Sequence, residues 1–198
     1  MKTYSSTLFA ILLSLGAWAQ NFSKQASVAK TAYASGKLED SRFALQQMLN
    51  EVDIVVGKEV LKLLPTKIET SASNITHDNV SGATGFIGVL IHRDYGSTDK
   101  MINVDLINNS PLITSLSAIL SLPLIGIASD GNQKRIKVSG YKGLLQKQVN
   151  SDTNRTDYEL QLPFGSTLLT VKANNVTEAQ ILAYANSIQV ADIAKILQ

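Results

Sequence analysis

The sequence predicts an α+β protein, with an N-terminal helical hairpin followed by an antiparallel sheet with helices packed on one side. Three observations carry that expectation. Apolar residues recur at helical spacing through residues 22–64. After Pro65 the period changes to alternation, in segments divided by short turn sequences. Two further helical segments stand between and after the strands, which suits a sheet backed by helices. No Gly-rich phosphate loop opens a helix after a strand, which argues against a nucleotide-binding α/β fold.

The chain opens with the three parts of an export signal. Lys2 supplies a positive charge, Leu8 to Leu15 an apolar core, and Ala17-Trp18-Ala19 the small-x-small pattern that signal peptidase reads. The apolar run is too short to cross about 30 Å of hydrocarbon as a helix. The expected organisation is therefore a signal peptide over residues 1–19 and a single α+β domain over 20–198. Within that domain 20–65 form the helical hairpin and 66–198 the sheet with inserted and C-terminal helices. The mature chain, starting at Gln20, is expected to be exported to a periplasmic or extracellular space, without a transmembrane span.

Composition narrows the chemistry. With 44% hydrophobic and 17% charged residues the chain is neither disordered nor a low-complexity scaffold. A net charge of +2 gives no nucleic-acid surface, so no nucleic-acid partner is expected. The absence of Cys removes disulfides, thiolate metal sites and a Cys nucleophile, so stability rests on a packed core.

Ala26, Ala29 and Tyr33 mark the first helix, which Gly36 stops. Leu38, Leu45, Met48, Val52, Val55, Val56, Val60 and Leu63 predict one broad apolar face on a second helix, which Pro65 ends and Gly57 weakens. Ile68, Thr70 and Ala72 alternate as in a half-buried strand, and 74–85 read as a polar loop. Strands follow over Phe86 to Tyr95 and Met101 to Asn108, with Ile102, Val104 and Leu106 on one face. Residues 110–128 carry no charge and predict a helix with Ser110 as N-cap and Pro123 at its end. Ile136 and Val138, then Leu145, Lys147 and Val149, mark two more strands. Tyr158, Leu160, Leu162 and Phe164 alternate, and Leu169, Val171 and Ala173 return after Gly165-Ser166. A last helix is expected to be capped by Asn175, with Leu182 and Ala183 packed on the sheet and Ile193, Ile196 and Leu197 extending it.

The segment YELQLPFGSTLLTVKANNVTEAQILAYANSI, Tyr158 to Ile188, resembles the closing sheet-plus-helix element of PsbP-like α+β domains. The whole layout is similar to exported families of bacterial envelope proteins. That resemblance implies a non-enzymatic accessory or binding role, and it assigns no functional residue.

Few residues point to chemistry. His92 and Asp94 share one face of a strand, and His77-Asp78 precede them, so two imidazoles and carboxylates could meet at a metal; the spacing matches no ligand motif. Gly-x-Ser-x-Gly is absent. The charge-free segment is the best lead. Leu112, Leu116, Ile119 and Leu120 would form either a core helix or the wall of an apolar ligand site. The reading is a non-enzymatic envelope protein without cofactor or metal, which binds another envelope component, an envelope protein or a hydrophobic ligand, or plays a structural role; the alternative is a carrier for a lipid or other hydrophobic ligand.

Overall fold

The structure is a computed structural model that describes residues 21–82, 88–97, 100–122, 131–150 and 155–197. The expected signal segment and Pro123 lie outside these residues. The chain divides into two compact units, Met1–Asp53 and Ile54–Gln198, and the division falls inside one helix.

The first unit holds helix α1, residues 21–34, and the start of helix α2, Leu38–Leu63. Gly36 sits between them at φ 73°, where a side chain would be strained. The Lys37 N–H donates to the Ala32 carbonyl at 2.9 Å and the Gly36 N–H to that of Tyr33 at 3.1 Å, closing the helix end as a Schellman motif. The two helices meet through small residues. Ala29, Ala32, Ser41 and Ala44 are buried, and Ser41 Oγ donates to the Ala29 carbonyl at 2.9 Å. Of the broad apolar face expected on α2, Leu38, Leu45, Val52 and Val55 are exposed and Met48 is half-buried, whereas Val60 further along is buried. Only small side chains let the two backbones approach, so the bulky ones point away.

The second unit is built on a sheet of seven strands in the order β3-β4-β5-β9-β8-β7-β6. The strands are β3 (Asn79–Ser81), β4 (Leu90–Tyr95), β5 (Ile102–Asn108), β6 (Gln133–Val138), β7 (Tyr141–Asn150), β8 (Arg155–Phe164) and β9 (Thr167–Ala173). Every pairing is antiparallel, so two meanders meet where β9 pairs with β5. A separate pair, β1 (Lys67–Ile68) and β2 (Ser71–Ala72), replaces the single strand expected at 68–72, because Glu69 turns the chain at φ 49°. The expected polar loop at 74–85 contains a 3₁₀ turn, Ile75–His77, and β3.

Alternation sorts the side chains onto two faces. Ile91, Leu106, Leu169 and Leu162 stand in one cross-strand row of the first face. Val60 of α2 and Leu64, just past its end, cover it, with Ile181 and Ala185 of α4 (Glu178–Asn186) and Ile193 and Leu197 of α5 (Val190–Leu197). Helix α3, Leu112–Ser121, packs on the other face: its Leu116 and Leu120 bury Leu144 and Leu168, the neighbours of inward Leu145 and Leu169.

Two local expectations shift. Helix α4 is capped by Thr177, not Asn175, through a reciprocal capping box with Gln180. Its buried face is Ile181, Tyr184 and Ala185, whereas Leu182 is half-buried and Ala183 exposed. Helix α5 is separate, beginning after a break at Ser187–Gln189.

Gly57 has a packing reason. A Cβ placed there would lie 2.5 Å from Val80 Cγ1 and 2.9 Å from Val89 Cγ2. Gly57→Ala should therefore destabilise by about 1–3 kcal/mol, overriding the ~1 kcal/mol that Ala gains in a helix. Urea unfolding checks this; an increase in stability would show that the helix does not seat on the sheet at this point.

Candidate functional site

Three places could carry function: a polar cluster around β4, helix α3, and the apolar surface of the hairpin.

Strand β4 carries polar side chains on both faces. Ile91, Arg93 and Tyr95 share the inward face, so Arg93 enters the core. Its Nε and Nη2 donate to the two carboxylate oxygens of Asp78 at 2.8 and 2.5 Å. Its Nη1 donates to the carbonyls of Leu61 and Leu64 at 3.0 and 3.2 Å, capping the end of α2. The hydrogen bonds to Asp78 raise the arginine's pKa, against the burial that lowers it. Fully buried Tyr95 places its hydroxyl near this guanidinium with no hydrogen-bond partner among the described residues, and burial pushes its pKa up to about 12.

The opposite face of β4 holds His92 and Asp94. His77 Nδ1–H donates to Asp94 at 2.9 Å, and His92 Nδ1–H to Asp105, directly across on β5, at 2.7 Å. Burial raises the pKa of Asp94, but the hydrogen bond from His77, the adjacent Asn74 amide and the nearby imidazoles outweigh it, so the net shift is downward. The two histidines thus go to two separate carboxylates. Among the described residues no group of three His, Asp or Glu could hold a metal ion. The arrangement orients two imidazoles, as structural and catalytic Asp–His pairs both do.

The apolar wall read from the sequence is divided. Leu116 and Leu120 are buried, Ile119 is half-buried, and Leu112 is 52% exposed. The buried pair sits on Leu144 and Leu168 in a small second core.

The hairpin's surface was not singled out in the sequence. Phe22, Tyr33, Leu38, Leu45, Leu49 and Val52 are all exposed, Tyr33 at 70%. The spacing explains why they lie together. Phe22, Ala26, Ala29 and Tyr33 follow steps of four, three and four along α1, as do Leu38, Arg42, Leu45 and Leu49 along α2. Each set forms a stripe, and the stripes flank an open groove of about 370 Å³ lined by Ala26, Ala29, Tyr33, Ser41, Leu45 and Met48, with Lys30 at its side. The repeated Ala of α1 was the available signal: small residues mark where helices meet, which leaves the large ones outside.

No protein-family model matches the chain, and no curated protein and no solved structure matches it. Among the described residues, no helix is long and apolar enough to cross a membrane. The fold is an α+β sheet-and-helix architecture with a helical hairpin, and its functional reading rests on geometry.

Two substitutions separate core from site. Leu116→Asp places a charge in the small core and should unfold the second unit, read as loss of the cooperative thermal transition. A folded variant that had lost uptake of an apolar fluorescent probe would instead make α3 a ligand wall. At Tyr95 the folded pKa is raised, so its contribution is complete below about 10, the value in the unfolded chain, and is lost as pH rises towards 12. Tyr95→Phe should leave neutral stability nearly unchanged and flatten the alkaline limb of a stability–pH curve. A steeper limb would contradict the burial of the neutral phenol.

Proposed function

We propose that this is a non-enzymatic exported protein of the bacterial envelope that binds another envelope component through its helical hairpin. The observation that carries the reading is the hairpin's apolar surface, on which six large side chains are exposed and two of them, Tyr33 and Leu45, line a groove. Surfaces of this kind on water-soluble domains are commonly sites of association. The second unit supplies a packed core, with Ile91, Val104, Leu106, Leu160, Leu162, Leu169 and Val171 inaccessible to solvent. The export signal at Lys2 to Ala19 supports the location, and the resemblance of Tyr158 to Ile188 to PsbP-like domains agrees with an accessory role.

The carrier alternative draws on one feature, the open apolar groove, which could take a single extended chain. Its shallow floor and the burial of Leu116 and Leu120 favour the protein-binding reading.

The test has two parts. Amino-terminal sequencing of the exported form should find Gln20 first; an intact Met1 would contradict export. A photoreactive amino acid at Leu49 should cross-link to a protein in the native envelope, while the same group at Gln161 on the sheet should give markedly less. Equal or absent cross-linking at Leu49 would overturn the role given to the hairpin.

A further inference from the structure

We infer that the hairpin's apolar face pairs with the same face of a second copy of this chain, joining two hairpins into a four-helix bundle. The inference rests on the reading of the hairpin as a binding surface and names its partner.

Area is the first argument. The exposed parts of Phe22, Tyr33, Leu38, Leu45, Leu49 and Val52 amount to a patch on the order of 600 Å², the upper end of what an ordinary monomer leaves in water. Two such faces in contact remove about 1,200 Å², the lower end of a specific, stable interface. A two-helix hairpin with only small residues between its helices has little core of its own, and a second hairpin supplies the missing layer.

Shape is the second. A two-fold contact requires one surface to complement itself. This face carries both halves of such a fit. Ala26, Ala29 and Ser41 floor a hollow, and Leu45, Leu49 and Val52 follow one another along the side of α2 at steps of four and three. The ridge of one copy can enter the hollow of the other, as knobs enter holes between packed helices.

Charge is the third. Over residues 21–53, Lys24, Lys30, Lys37 and Arg42 balance Glu39, Asp40, Glu51 and Asp53. Two copies therefore meet without net repulsion, whereas a strongly charged partner would find no matching field.

The experiment is sedimentation of the exported, processed protein from micromolar to submillimolar concentration. The expected result is a reversible dimer. The double variant Leu45→Glu with Leu49→Glu should weaken it at least about a hundredfold, with the circular dichroism and melting of the dilute monomer unchanged, since both positions face solvent in the single chain. In case that variant does not fold, Leu45→Cys gives an independent readout, because the natural chain has no Cys. A short bismaleimide should join two Leu45→Cys copies, and not two Gln161→Cys copies. A monomer at every concentration, a dimer indifferent to the double variant, or no cross-link at Leu45→Cys would each overturn self-pairing. Cross-linking of Leu49 to a different envelope protein would then preserve the broader reading, and loss of all hairpin cross-links would end both.

Discussion

The buried guanidinium of Arg93 is the constraint on which the second unit depends. Removing a guanidinium from water costs several kcal/mol, and the cost is met only where its donors are satisfied. Here four hydrogen bonds meet it: two to Asp78 and one each to the carbonyls of Leu61 and Leu64. Those contacts tie three parts of the chain together. They fix the last turn of α2, hold the short turn before β3, and set the inward face of β4. An apolar side chain of similar volume could fill the same space, but it would leave the carbonyls at the end of α2 without donors. The pair therefore contributes to the register of helix on sheet as much as to stability. Gly57 serves the same contact one and two turns earlier, by leaving room for Val80 and Val89.

The two units solve the burial problem differently. The second places branched apolar side chains on both strands and helices and closes around them. The first places Ala and Ser between its helices and its Leu, Phe, Tyr and Val outside. Local hydrogen bonds hold the hairpin: the Schellman closure at Gly36, Ser41 to Ala29, and Asn21 to Glu51. Such bonds define geometry while adding little net free energy each. An element that is ordered yet apolar outside has the character of an interface half, and this contrast underlies the functional reading.

Much of the fold was legible because strand periodicity is direct. Ile102, Val104 and Leu106 alternate, as do Leu160, Leu162 and Phe164, and each set is buried as its period requires. What was hidden had physical causes. Arg93 shares its parity with Ile91 and Tyr95, but a charged residue reads as outward until its partners are known. The pair β1 and β2 was concealed because the turn between them uses Glu69 at positive φ, where Gly or Asn would have announced it. On α4 two neighbouring faces are both apolar, so Leu182 and Ala183 competed with Ile181, Tyr184 and Ala185. The hairpin's surface was missed because apolar periodicity shows which residues share a face, not whether the chain itself covers it. The segment with Leu112, Leu116, Ile119 and Leu120 was legible as a helix, while its contact with Leu144 and Leu168 required the sheet register.

The central claim is that the hairpin lacks a complete core and is finished by a partner. Hydrogen exchange measured by mass spectrometry on dilute, purified protein tests it most directly. The account predicts that amides in residues 21–53 exchange far faster than those of β5, β8 and β9, and slow when the apolar face is occupied. Protection of the hairpin equal to that of the central strands in the dilute monomer would contradict it.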